Sequence, residues 1–290
     1  VSPFLEVLHS GRVLLMDGAM GTELQRAGIS PHECYELWNL THPERVRAIQ
    51  QAYVAAGAEV LLTNTFQAHP DHLDRFGAEE RLGAVTQSAL KLARAASGEA
   101  RFVLLDVGPM MDRGRRRGAG NAVDCAAAGL ADAILVETCS DVADLVALLR
   151  QRGRRAKGPL PILFSMTYKR LGDGSLGTDG GDFPEECAAQ ASRYAIAALG
   201  VNCGLNIGMD DIIEIVRRYR AVTDLPLFAR PNAGTSDRGV YPLTPEAMAA
   251  RLPELLEAGV CMVGGCCGTT PAHIAACRPV IDAWNARRGH

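Results

Sequence analysis

Along the chain a short aliphatic run recurs, followed by a turn rich in Gly, Pro, Asn or Asp and then by a segment with apolar residues at helical spacing. The runs are VLLM (13–16), VLLT (60–63), FVLL (102–105), AILV (133–136), ILFSM (162–166), LGV (199–201), LFA (227–229) and CMV (261–263). Continuous apolar strands are those buried on both faces, as in a parallel sheet clothed by helices. The spacing between them predicts helices near 42–57, 78–97, 119–130, 141–153, 184–198, 209–221, 245–258 and 271–287. Start signals support several: Asp141 precedes one, Thr244-Pro245-Glu246 opens another, and Thr270-Pro271 opens the last. A side-chain oxygen there satisfies free N–H groups, and proline is pre-set for a first helical turn. Eight strand–helix units predict an α/β chain folded as a single (β/α)8 TIM barrel over residues 1–290, with an open doubly wound sheet as the alternative.

A barrel of this kind builds its active site from the carboxyl ends of the strands and the loops that follow. Residues in those places are Asp17-Gly18-Ala19-Met20-Gly21-Thr22, Asn64-Thr65-Phe66, Asp106-Val107-Gly108-Pro109, Glu137-Thr138, Thr167-Tyr168, Asn202-Cys203-Gly204, Pro231-Asn232-Ala233-Gly234 and Cys266-Cys267-Gly268. Acids, asparagines and three cysteines are thus expected on one rim.

Composition narrows the chemistry. The 290 residues are 48% hydrophobic and 22% charged, with a formal net charge of -3. That balance offers no basic field for nucleic acid or an anionic membrane, and no apolar run is long enough to span a bilayer. A soluble cytoplasmic enzyme of small-molecule chemistry is expected. Nine cysteines, an odd number without regular spacing, point to metal or redox chemistry rather than a disulfide framework. Cys266 and Cys267 cannot easily bridge, because adjacent Cα atoms are about 3.8 Å apart and disulfides want roughly 4.4 to 6.8 Å. Two readings of the pair stay open: small core residues, or thiols turned inward where Gly264, Gly265 and Gly268 let the backbone turn. In the second, Cys203 completes a three-thiolate zinc site with an open fourth position, suited to an incoming thiol and to alkyl transfer onto sulfur.

The segments DGAMGTELQ, TNTF, VNCG, PNAG and GGCCGTTPAHI, in this order over nearly the whole chain, resemble the homocysteine S-methyltransferase family, including the homocysteine-binding module of cobalamin-dependent methionine synthase. The resemblance implies a zinc-bearing (β/α)8 barrel with Cys203, Cys266 and Cys267 as catalytic metal ligands. It implies that Asp17 and Glu137 hold the ammonium group of homocysteine and that backbone N–H groups of Gly18 and Ala19 receive its carboxylate. The implied product is methionine.

For the methyl donor the resemblance offers a sulfonium compound (S-methylmethionine or S-adenosylmethionine), a methylated corrinoid or folate presented by a separate protein, or betaine, in that order of preference. Methionine synthase carries folate and cobalamin domains after this module, and the chain ends near the eighth helix. Betaine's quaternary ammonium would call for an aromatic cage, with Trp38, Phe66 and Tyr168 as candidates. The chain departs from the family pattern in DVGPMMDRGRRRGAGNAVDC, an abbreviated third βα unit spanning 107–130. Arg113, Arg115, Arg116 and Arg117 there read as a solvated basic loop, or as a contact for an anionic donor or partner protein. A thiol-binding subunit without activity and a zinc hydrolase are the competing classes. The second lacks a histidine-rich ligand set, since only His69, well into a loop with His72, follows a strand.

Overall fold

The computed structural model describes residues 2–109, 129–152, 160–235 and 240–290, and in it every apolar run is a strand. In chain order the strands are β1 Leu14–Leu15, β2 Val60–Leu62, β3 Phe102–Val107, β4 Ala133–Cys139, β5 Ile162–Met166, β6 Lys169–Arg170, β7 Leu176–Gly177, β8 Ala198–Asn202, β9 Leu227–Arg230 and β10 Val260–Val263. Eight of them form one parallel sheet in the order β1-β10-β9-β8-β5-β4-β3-β2. The ends of that order meet: Met16 bridges Val60, with Glu59 N donating to Leu15 O (2.7 Å) and Asp17 N to Val60 O (2.9 Å). A closed barrel results, and the doubly wound alternative is set aside. β6 and β7 pair as a small antiparallel hairpin outside the barrel.

Side chains of a strand alternate between faces, which here sorts the core into two shells. Leu14, Met16, Leu62, Leu104, Leu135, Leu163, Phe228 and Met262 fill the barrel. Leu15, Leu61, Leu105, Ile134, Phe164 and Val201 face the helical layer. One further step of the same alternation puts Asp106, Glu137, Ser165, Asn202 and Arg230 on the inner face at the carboxyl ends of their strands. The apolar filling therefore ends in a polar floor for the site. Gly200 belongs to this interior because a Cβ there would sit 2.4 Å from the Phe228 ring.

The amino-terminal end is closed by a helix that the periodicity did not announce, Pro3–Leu8, capped by Ser2 Oγ accepting from Leu5 N at 3.3 Å. Its Phe4 and Leu8 join the inner cluster, and Phe4 meets Phe102, the first residue of β3, edge-on at 5.2 Å. Burying two such side chains stabilises this end by about 1.5–3 kcal/mol each at most.

Helices form close to their expected places: Pro43–Ala55, Leu82–Ser97, Ala143–Arg152, Met209–Arg220, Pro245–Glu257 and Pro271–Arg287. The helix expected over 184–198 stops at Ala191. The chain needs the following residues to turn and enter β8, where Ala197 N already donates to Ile162 O (2.7 Å). Most of the expected 119–130 helix, the abbreviated unit around it and Arg113, Arg115, Arg116, Arg117 and Cys125 lie outside the described residues. Among the described residues, no helix is long and apolar enough to cross a membrane.

Candidate active site

Three thiols meet above the polar floor. Cys203 follows β8, Cys266 and Cys267 follow β10, and their sulfur atoms all lie within 4.8 Å of one another. Cys203 Sγ and Cys267 Sγ are 3.8 Å apart. A tetrahedron with metal–sulfur bonds of about 2.3 Å has edges of about 3.8 Å, so the trio can hold a metal ion.

Local strain and neighbouring loops set this arrangement. Cys203 has φ +55°, a left-handed conformation that turns its side chain off the strand. Thr138, at the end of β4, has φ +62°. Asn202 ties these turns together: its Oδ1 accepts from Thr138 N (3.0 Å) and Ser165 Oγ (2.6 Å), and its Nδ2 donates to Thr138 Oγ1 (2.8 Å). Nδ2 also lies 3.9 Å from Cys266 Sγ. Such outliers persist only when surrounding contacts over-determine them. The PNAG segment fixes the cysteine pair through its backbone, since Cys266 N donates to Pro231 O (2.8 Å) and Ala233 N to Cys267 O (2.9 Å).

The three glycines beside the pair play two different parts. Only Gly268 uses a positive φ (+80°), and the ring of Tyr241, which hydrogen-bonds Cys267, covers it. Gly264 and Gly265 permit close approach instead: a Cβ on Gly264 would lie 2.7 Å from Asp17 O, and one on Gly265 2.3 Å from Thr269 Oγ1. They dock the first and last strands together rather than making the turn cheap.

Beside the thiols lies a buried ionic cluster. Arg230 is 3% exposed; its Nη2 is 3.3 Å from Asp17 Oδ1 and its Nη1 3.7 Å from Glu137 Oε2. The guanidinium also donates to Gly265 O (Nη2, 2.9 Å; Nε, 3.1 Å) and lies 3.2 Å from Gly18 O. Asp17 Oδ2 accepts from Leu62 N at 2.7 Å. Burial lifts the Asp17 carboxyl to about 6 against the opposing pull of Arg230 and the Leu62 N–H. Burial also raises Glu137, again opposed by Arg230, and raises Asp106 further, helped by the charge of Glu137. Three carboxyls thus face one guanidinium. Asp106 Oδ1, Glu137 Oε2 and Arg230 Nη1 are buried without a hydrogen-bond partner among the described residues. Unpaired buried polar atoms cost free energy, and a cationic group entering here would satisfy both orphaned oxygens.

The structure brings together all but part of the expected set. Cys203, Cys266 and Cys267 converge, and Asp17 and Glu137 meet around Arg230. Gly18 is packed so closely that a Cβ would lie 2.7 Å from Tyr53 Oη, while Ala19 N already donates to Thr269 Oγ1 (3.0 Å). A carboxylate received at Ala19 must therefore displace that hydroxyl. Trp38 and Tyr168 are buried and engaged with other residues: Trp38 stacks on His42 and beneath Arg45, and Tyr168 Oη bonds Tyr219 Oη at 2.7 Å. Asn64 and Thr65 of TNTF are braces: Thr65 Oγ1 donates to Asp106 O (2.6 Å), and Asn64 Nδ2 to Tyr35 O (2.8 Å). Sequence reasoning missed Arg230, because the apolar run ends at Ala229, and it gave Asp106 and Asn202 places on the rim without roles. Period-two alternation from Phe228, Leu104 and Gly200 was the signal that points all three inward.

Fold and site together define a class: a (β/α)8 barrel whose carboxyl-end rim joins a three-thiol cluster able to hold a metal ion to a buried acidic pocket. Comparison with known proteins gives the family. The homocysteine S-methyltransferase family model matches residues 14–281, and the chain belongs to that family. It is 34% identical to methionine synthase of Mycobacterium tuberculosis over 93% of this chain, and 31% identical to that of Mycobacterium leprae over 91%. The match spans 24% of each relative, about a quarter of their length. The metallated homocysteine methyltransferase MmuM from Escherichia coli superposes with a TM-score of 0.72 at 26% identity, covering 94% of this chain and 98% of that one.

Proposed function

We propose that the protein transfers a methyl group to the sulfur of homocysteine, giving methionine, with zinc held by Cys203, Cys266 and Cys267. The observation that carries this reading is the convergence of three soft sulfur donors beside a pocket in which three buried carboxyls face one guanidinium. The sulfur spacing and an all-thiol donor set fit zinc, which when bound supplies an acidified site for an incoming thiol at neutral pH. Family membership and the metallated form of MmuM support the same assignment.

The chain's own residues supply orientation. Asp17 and Glu137 receive the substrate ammonium, with the Asp106 carboxyl, raised by burial and by the charge of Glu137, beside them on the neighbouring strand. Arg230 opposes the rise that burial imposes on these carboxyls and is itself anchored to Gly265 O. A substrate held at its ammonium end presents sulfur toward the cysteines, and this positional restraint lowers the entropic part of the barrier. In the transfer, a new carbon–sulfur bond forms to homocysteine as the donor's carbon–sulfonium bond breaks. The donor leaves as a neutral thioether, and the proton lost by the substrate thiol goes to solvent.

A sulfonium donor suits this rim because a cation is drawn to its cluster of carboxyls. Betaine fits less well, since Trp38 and Tyr168 are committed to packing. The likeness to methionine synthases favours a second reading, in which a separate corrinoid or folate protein presents the methyl group. The test is methionine formation by zinc-loaded protein with homocysteine and S-methylmethionine, S-adenosylmethionine, betaine or methylcobalamin in turn. Transfer from a sulfonium supports the first reading; no methionine from any donor rejects catalysis by the chain alone.

A further inference from the structure

We infer a second metal site, for a divalent zinc-class ion, built from Cys34 Sγ, the Glu36 carboxylate and His72 Nε2. These three ligand atoms lie within 4.8 Å of one another, on two segments that the sequence separates. Cys34 and Glu36 are each 3% exposed, next to the short Tyr35–Leu37 turn. His72 comes from the helix Pro70–Asp74 after β2. The site is distinct from the catalytic cysteines and shares no residue with the acidic pocket.

The distances suit an ion. Cys34 Sγ is 3.4 Å from Glu36 Oε2, and His72 Nε2 is 3.7 Å from the same oxygen. A tetrahedral zinc with bonds of about 2.3 Å to sulfur and about 2.0–2.1 Å to oxygen and nitrogen has S···O and O···N edges of about 3.5 and 3.3 Å. Those two edges are each within a few tenths of an ångström of the tetrahedral values, and the third, Cys34 Sγ to His72 Nε2, lies within 4.8 Å. The His72–Glu36 separation is too long for a direct hydrogen bond, so the imidazole is aimed at the carboxylate without being joined to it.

The chemistry of the set agrees with the geometry. Thiol, carboxylate and imidazole are the three side-chain types zinc takes, and three of them leave a position for water. Glu36 is a buried acid with no arginine or lysine beside it in any described ion pair; its partners are the Cys34 thiol, Gln67 N (2.9 Å to Oε1) and His72. A buried carboxylate is ordinarily paired or bound to a metal. Nearby His69, which senses the charge of His72, has a buried Nε2 with no hydrogen-bond partner among the described residues. When the ion binds, the thiol proton now shared with Glu36 passes to solvent. The bound ion would staple residues 34–36 to the helix after β2, bracing Tyr35, whose carbonyl holds Asn64 at the rim of the active site.

The test is metal stoichiometry of the full chain, by elemental analysis after zinc loading and exhaustive dialysis. The expected result is two equivalents in the unsubstituted protein. One should be lost in Cys203→Ser, and the other in Cys34→Ser and in His72→Ala. The His72 side chain is 21% exposed, more than the buried Cys34, so its variant keeps the test open should Cys34→Ser fail to fold. The inference is overturned if the unsubstituted protein binds only the equivalent that Cys203→Ser removes, or if folded His72→Ala retains both. Because the readout is bound metal rather than turnover, it stands apart from the methyl-transfer assay.

Discussion

Arg230 and Asp17, 213 residues apart in sequence, meet inside the barrel at 3.3 Å. The contact joins the end of β9 to the end of β1 across the intervening β10, whose Gly265 carbonyl the same guanidinium holds. Replacing Arg230 with Met leaves Asp17, Glu137 and Asp106 without a counter-charge. Breaking a buried pair from one side costs about 3–5 kcal/mol. Urea denaturation at neutral pH should show a loss of that order. The loss should shrink toward pH 4, because carboxyls whose folded pKa is raised destabilise fully only above that pKa and are relieved as they take up protons. An Arg230→Met protein as stable as the parent at pH 7 would contradict this account.

Asp17 makes ligand binding depend on pH in a defined direction. Its carboxyl, lifted to about 6, is ionised above that value and neutral below it. Methionine carries the ammonium group but no thiol proton, so its affinity reports the pocket carboxyls without the titration of a substrate thiol. Calorimetry should give a plateau above about pH 6 and up to a tenfold loss per pH unit below it. Asp17→Asn should weaken methionine binding about 10- to 100-fold, matching the roughly 1.5–3 kcal/mol of a hydrogen bond to a charged group, and should flatten the pH dependence. An unchanged dissociation constant would remove Asp17 from the ammonium site.

Each of the three rim cysteines proposed as ligands should be needed for one metal ion. Cys266→Ala and Cys267→Ala are expected to lose one equivalent of zinc together with methyl transfer, because two protein ligands hold the ion too weakly to survive dialysis. Retention of the full metal complement in either variant, read by elemental analysis, would exclude that residue as a ligand.

Gly200 tests the floor beneath the site. An added methyl would meet the Phe228 ring at 2.4 Å. Gly200→Ala should destabilise by about 1–3 kcal/mol, the range for overpacking a filled core. Adding Phe228→Leu should recover part of the loss by giving the methyl room, a non-additivity expected for residues in contact. Thermal melts of the two single variants and the double variant measure it.

How much of this was written in the sequence follows from what each residue is paired with. Strands β1 to β5 and β8 to β10 were legible because apolar runs buried on both faces carry their own signal. The cysteines were legible because few structural roles require adjacent thiols between glycines. Arg230 was not, since a charged residue after LFA reads as the end of a strand, and its partners Asp17 and Glu137 come from distant segments. Hairpin β6–β7 gave no apolar run to detect, and the helix Pro3–Leu8 is too short to show helical periodicity. The pairing of Glu36 with Cys34 and His72 likewise depends on loop geometry that local patterning does not carry.

The helix Pro3–Leu8, which stoppers the amino-terminal end of the barrel with Phe4 and Leu8, also bears on traffic through the proposed site. With that end filled, the proposed methyl donor and acceptor would both come to the carboxyl-end rim. Whatever lies deepest, beside Asp17 and Glu137, has to enter before its partner and depart after it. On the proposed function the amino acid would be first in and last out, and excess donor should obstruct its entry at low amino acid concentration.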